Sequence, residues 1–272
     1  MIKLLYKDVE IANGYVEARR KTFDYDFPMH WHDFFEIEFF ISGGGNYIIN
    51  NSSYPIKPGM VFFINPSSFH EMTDIKNVTL YTINFTLDAC NSSILSDFCL
   101  NKPYCAFQAD TKSIVFFEAV MDELIKNLNN KDIASTMLDC IIAKISLDNG
   151  DDFNQNRTSS TVKEVQLYIL NNFRGDISLE SAAKSVGLTS SYLSHLFTKE
   201  LNMNFKEYVS NVRFEYVEKL LKYTNMTTVQ ISADSGFNDY PNFSRSFKKR
   251  FGTSPQKYRQ DFINEKAFRK NK

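Results

Sequence analysis

No run of eighteen consecutive apolar residues occurs in the 272-residue chain, which argues against a membrane-spanning helix. No charged-then-apolar leader precedes Tyr6, so a soluble cytoplasmic protein without membrane association is expected. Cysteine is scarce: Cys90, Cys99, Cys105 and Cys140, at spacings of 9, 6 and 35, fit neither a zinc knuckle nor a CxxC redox pair, and read as reduced thiols. Also missing are a phosphate-binding glycine loop, a nucleophile elbow and a paired general acid and base, so the first reading is not an enzyme.

Net charge is nearly absent too, at −1, but the two ends of the chain differ. Residues 161–272 carry 18 Lys+Arg against 11 Asp+Glu, and the remaining 160 carry 13 against 21. A basic C-terminal part beside an acidic N-terminal part is expected when only the former meets phosphate. Length and a 43% hydrophobic content are ample for two cores.

The basic part reads twice as a helix-turn-helix. Leu179-Glu180-Ser181-Ala182-Ala183, Gly187-Leu188 and Ser191 to Phe197 form one copy; Val229 to Ala233, Gly236-Phe237 and Pro241 to Lys249 form the other. Ala183 aligns with Ser232 at an offset of 49, whereas Phe197 aligns with Phe247 at 50, so the second turn holds one extra residue. Small residues let the two helices approach, and each glycine can take the left-handed conformation of a sharp turn. Leu193, Leu196 and Phe197, then Phe243 and Phe247, would hold each second helix to the body. The faces left over present Ser191, Ser194, His195 and Lys199, then Tyr240, Asn242, Arg245, Lys248 and Lys249, to double-stranded DNA in the major groove. Arg245 is the favoured reader of a guanine edge, with Lys248, Lys249 and Arg250 on phosphates. Phe205 to Tyr223 reads as one long helix between the copies, burying Tyr208, Val212, Tyr216, Leu220 and Leu221.

These landmarks, with Phe205-Lys206-Glu207-Tyr208, Arg213 and Gly252-x-Ser254-Pro255-x-x-Tyr258-Arg259, resemble the AraC/XylS family of bacterial transcription regulators. Asn202 stands where the family usually has glycine, and Val217 and Ser232 replace usual alanines. The resemblance implies a DNA-binding activator that contacts RNA polymerase, answers a small-molecule effector and forms a homodimer.

The acidic part reads as strands: Phe34 to Ile41, Asn46 to Asn50 after Gly43-Gly44-Gly45, Met60 to Ile64 and Val78 to Phe85. Short strands between Gly and Pro breaks indicate a small barrel or sandwich. Within it, His30-Trp31-His32-x-x-x-Glu36, followed by His70, resembles the cupin motifs, whose histidines and glutamate can hold a divalent metal. Three uses of the set are open: polar contacts to an effector, metal ligation and hydrogen-bonded structural histidines. The effector reading is taken, for His30, Trp31, His32, Glu36 and His70, with Phe23, Tyr25 and Phe27 at the mouth and neither metal nor cofactor expected. The alternatives are a metal-dependent cupin enzyme fused to a DNA-binding domain, and a regulator answering a protein partner.

Ile114, Phe117, Val120, Met121, Leu124, Ile125 and Leu128, then Ile133, Met137, Leu138, Ile141, Ile142 and Ile145, form two helical stripes. This hairpin covers the barrel, pairs with a second protomer, or does both. The expected architecture is α+β in two domains. A cupin-like barrel with its hairpin (113–147) fills 1–147, a polar linker follows at 148–160, and 161–272 form an all-α domain of two helix-turn-helix motifs joined by a long helix.

Overall fold

The computed structural model describes residues 2–4, 15–50, 52–91, 95, 104–149 and 159–270. Contacts divide the chain into two compact units, Met1–Leu167 and Tyr168–Lys272. Most of the expected linker, 150–158, lies outside the described residues, and the division falls inside the helix Ser160–Asn172.

The first unit holds β1 (Ile2–Leu4), β2 (Val16–Phe23), β3 (Phe27–His32), β4 (Phe35–Ile49), β5 (Ser52–Ile56), β6 (Met60–Ile64), β7 (His70–Phe85) and β8 (Tyr104–Gln108) in one sheet. Its path is β1-β3-β7-β4-β6-β8, with β2 added on β7 and β5 on β4. The spine is the antiparallel pair of β4 and β7, 15 and 16 residues long.

Here the structure corrects the sequence reading, which ended a strand before Gly43. Strand β4 runs through the three glycines, and its register against β7 shifts between Phe40 and Asn46. Gly43 has φ 91°, and a Cβ there would meet the Asn77 carbonyl oxygen at 2.4 Å, so no side chain fits. Opposite it, Asp74 and Asn77 are also left-handed, with φ 54° and 45°. These irregularities bend the ribbon, as bulges do. The two halves then face each other: Phe40, Phe62 and Leu80 share one buried cluster with Tyr47, Ile49 and Met72. This folded ribbon frames the cupin-like barrel.

Helices α1 (Thr111–Lys126) and α2 (Lys131–Asp148) form the hairpin, capped by Asp110 and Asn130. Phe117 sits 5.4 Å from Phe39, and Tyr81 donates to Asp122 at 2.5 Å, so α1 lies on the sheet. Ile133, placed in the stripe by sequence, is instead exposed.

The second unit contains the C-terminal end of α3 (Ser160–Asn172), then α4 (Leu179–Ser185), α5 (Ser190–Leu201), α6 (Phe205–Tyr223), α7 (Thr228–Asp234), α8 (Tyr240–Phe251) and α9 (Pro255–Lys270). On α6 the structure again corrects the sequence reading: Tyr208 and Val212 are only half-buried, while Phe214 is buried. The Phe214 ring lies 5.0 Å from Phe237, 6.3 Å from Phe243, 6.1 Å from Phe247 and 6.1 Å from Phe251. Replacing Phe214 by Ala is expected to cost about 3–5 kcal/mol, the usual loss for a buried Phe. Urea unfolding of the full chain, followed by helical circular dichroism, measures it. A loss below about 1 kcal/mol would show that these rings do not depend on Phe214.

Candidate functional site

The two helix-turn-helix copies repeat bond for bond. Ser178 and Thr227 each form a reciprocal capping box, with Ser181 and Gln230 respectively. Gly187 and Gly236 turn left-handed, with φ 69° and 78°. Across each turn the same bond recurs, Leu188 N–H to Ala183 O at 2.9 Å and Phe237 N–H to Ser232 O at 3.0 Å. Thr189 and Asp239 then cap α5 and α8. Both helices end left-handed, at Asn202 and at Gly252. Asn202 thus does the work of glycine, as its tolerance of that region allows.

Conserved geometry inside leaves a defined face outside. Leu193, Phe197, Phe243 and Phe247 are buried, while Ser191, Ser194, His195, Lys199, Asn242, Arg245, Lys248 and Lys249 are exposed. Arg245 donates to the Asn242 side-chain oxygen, one turn back on α8, which holds the guanidinium along the helix. Two expected readers are otherwise engaged. Tyr240 is half-buried, its hydroxyl 2.9 Å from the Thr228 hydroxyl and its ring against Phe243, so it ties α8 to α7. Arg250 bonds the Asn211 side chain and lies over the Phe214 and Phe251 rings, which makes it part of the scaffold.

Other landmarks gain physical roles. Arg213 donates to the Phe173 carbonyl at 2.7 Å and to the Gly175 carbonyl at 3.0 Å, satisfying acceptors beyond the end of α3. A Cβ on Gly236 would meet that same Phe173 oxygen at 2.7 Å, so the second turn needs glycine for space as well as for its angle. Arg259 donates to the Leu221 carbonyl at 3.1 Å and Tyr258 to Glu218, fixing α9 to α6.

In the first unit β3, β4 and β7 bring three buried histidines around Glu36. Each imidazole is oriented by its own strand: His30 Nδ1 is 3.0 Å from Pro28 O, His32 Nδ1 2.8 Å from Phe34 O, and His70 Nδ1 3.1 Å from Ser68 O. A carbonyl only accepts, so each Nδ1 carries hydrogen and the Nε2 atoms are left for the interior. His32 Nε2 lies 2.9 Å and His70 Nε2 3.3 Å from Glu36 Oε2, while Thr82 donates to Glu36 Oε1 at 3.1 Å. Burial opposes ionisation of Glu36, but the His32 and His70 contacts outweigh it and hold the carboxyl well below the usual range. Burial first, then His70, pushes His30 down to about 2, and burial lowers His70 as well. Glu36 is thus the polar centre that His32, His70 and Thr82 share.

Trp31, grouped with this set by sequence, is not part of it. Neighbouring residues on a strand face opposite sides, and the Trp31 ring, 1% exposed, lies against Phe69. Tyr25 is 63% exposed, and Phe23 and Phe27 lean on the core cluster. The sequence reading stopped one step short on β4, where Glu38 continues the alternation of Glu36. Glu38 Oε2 and the nearby Tyr47 hydroxyl are buried, and neither finds a hydrogen-bond partner of normal geometry among the described residues. Burial first, then the Glu36 charge, pushes the Glu38 carboxyl well above the usual range.

Comparison with known proteins agrees with both units. The helix-turn-helix domain family matches residues 182–261, and the AraC-like ligand binding domain family matches 13–140. The chain belongs to the AraC/XylS family of transcription regulators. It is 25% identical to the uncharacterized HTH-type transcriptional regulator YfiF of Bacillus subtilis, over 99% of this chain and 90% of that protein. It is 26% identical to the HTH-type transcriptional activator RhaS of Mannheimia succiniciproducens, over 86% and 89%. Identity to the melibiose operon regulatory protein of Escherichia coli K12 is 24%, over 90% and 89%. As a member of this family the chain is a regulator with an N-terminal ligand-binding domain and a C-terminal helix-turn-helix domain. Among the described residues no helix is long and apolar enough to cross a membrane.

Tyr240→Phe separates positioning from reading on the AraC-type recognition helix. Removing the hydroxyl bond is expected to lower stability by about 1 kcal/mol and leave base preference unchanged. Denaturant unfolding and a panel of single-base operator variants check both. A changed base preference would return Tyr240 to the readers.

Proposed function

We propose that this protein is a cytoplasmic transcription activator, not an enzyme, that places α5 and α8 in successive major-groove segments on one face of its operator. The observation that carries this reading is the exposed set on two helices held by equivalent caps and left-handed glycine turns. Ser191, Ser194, His195 and Lys199 come from α5, and Asn242, Arg245, Lys248 and Lys249 from α8. A 19-residue helix lies between the copies. Its length of roughly 28 Å suits recognition helices about one turn of DNA apart. Arg245 reads guanine, His195 reads from the matching position of α5, and Lys248 and Lys249 hold phosphates.

Residues 1–147 act as the effector-binding and dimerising part, 148–160 as linker and 161–272 as the DNA-binding part. His30, His32, Glu36 and His70 serve the effector, with Glu38 and Tyr47 in place of Trp31. An acceptor-rich buried interior suits a ligand bearing several hydroxyl donors, and one relative is named for the melibiose operon. RNA polymerase is the further partner, and the activating sign follows the relative named as an activator.

Selection of bound sequences from random duplex DNA with the full-length chain is the test. A site with two short elements about ten base pairs apart is expected. Arg245→Ala should lose about 1–3 kcal/mol at one base pair and relax preference there, whereas Lys248→Ala should weaken all sequences alike and reduce the salt slope by about 1. Enrichment of nothing above a salt-sensitive background would remove the reading.

A further inference from the structure

We infer that Asn242 is a specificity-determining residue of α8: joined to Arg245, it forms a unit that presents only hydrogen-bond donors and selects guanine or thymine beside the guanine that Arg245 reads. The inference rests on the proposed seat of α8 in the major groove and names the base step read there.

Asn242 and Arg245 lie three residues apart in the first half of α8, and both are exposed. The N-terminal residues of a recognition helix are the ones that contact base edges. Three residues advance about 4.5 Å along the helix, close to the roughly 3.4 Å between stacked base pairs, so the two side chains reach neighbouring pairs.

The bond between them decides what Asn242 has left to offer. Arg245 Nη2 donates to Asn242 Oδ1. A guanidinium has no lone pair, so the amide turns its oxygen to Arg245 and its NH2 away. An asparagine that reads adenine bidentately turns both amide atoms to one base, the oxygen accepting from N6 and the nitrogen donating to N7. With the oxygen drawn along the helix to Arg245, that arrangement is lost and the NH2 remains as donor. The main chain is held as well, since the Asn242 N–H donates to the Asp239 carboxylate at 3.1 Å.

Base edges sort accordingly. Guanine offers O6 and N7 and thymine O4 as acceptors, whereas cytosine offers only its N4 donors and adenine sets a donor beside its N7. A donor-only pair therefore favours a keto base next to the guanine and disfavours cytosine most. Tyr192 and His195 stand at the matching positions of α5, so this rule applies only to the element under α8.

The test is selection of bound sequences from random duplex DNA with the full-length chain and three variants, followed by competition with single-base substitutions of the enriched site. The unaltered chain should enrich guanine flanked by guanine or thymine in one of two elements. Asn242→Ala should weaken binding to that site about 3–10-fold and erase the preference at the flanking pair. Asn242→Asp keeps an acceptor for Arg245 and loses the amide donors, so guanine should persist while the flanking preference moves to cytosine. Arg245→Ala frees the Asn242 oxygen, and the flanking preference should move to adenine. All three variants change exposed side chains, and helical circular dichroism reports whether each folds. Adenine beside the guanine in the site of the unaltered chain would overturn the inference, as would a flanking preference that Asn242→Ala leaves intact. Both outcomes keep the groove reading, which falls together with the inference only when the unaltered chain enriches no paired elements.

Discussion

The C-terminal unit depends on what α6 does with two adjacent residues. Arg213 reaches carbonyl groups just beyond α3 and lies over the Phe237 ring, while Phe214 carries the second helix-turn-helix on its ring. One helix thus fixes both the turn that aims α8 and the core against which α8 rests. A continuous hydrogen-bonded helix is stiff over this length, so the separation of the two recognition helices is a property of the chain itself. Under the proposed reading, paired DNA elements are then met without adjustment of that spacing. The exposed side chains of α5 and α8 supply the chemistry, and α6 supplies the distance.

Legibility followed the range of the interactions. The helix-turn-helix copies were readable because each cap, turn glycine and buried aromatic acts within a few residues of its partner. Asn202 could be recognised as a left-handed cap for that reason. Phe214 could not, because α6 buries two faces and a single stripe through Tyr208, Val212 and Tyr216 describes only one of them. The bent ribbon was harder still. Gly43 to Gly45 reads as a break, yet the segment pairs with β7 through bulges whose need for glycine comes from Asn77, more than thirty residues away. Alternation on β3 identified His30 and His32 together, and the same rule should have set Trp31 aside. Glu38 was within reach of that alternation, but its place beside Tyr47 follows from the bend.

The two functional surfaces handle polar groups in opposite ways. On α5 and α8 the groups proposed to meet DNA are exposed, so water satisfies them and their presence costs the folded state little. In the barrel the polar groups are buried among aromatic rings. Glu38 Oε2 and the Tyr47 hydroxyl find no hydrogen-bond partner of normal geometry among the described residues, while Glu36 lies within reach of His32, His70 and Thr82. An unpaired buried polar group costs about 1–3 kcal/mol, so these groups weigh against the first unit's stability.

That cost has a direct thermodynamic consequence for sensing. On the proposed reading, a ligand that supplies a hydroxyl donor to Glu38 removes a penalty the folded unit otherwise carries, and its binding free energy includes that relief. By linkage, the same quantity appears as added stability of the liganded unit. An apolar ligand would fill space without answering these acceptors and would gain none of it. As the proposed effector site, the buried polar set would discriminate among effectors by hydrogen-bond and charge complementarity before shape is considered. Sites built around unpaired polar groups discriminate most strongly in this way, because a wrong ligand leaves the same groups unpaired.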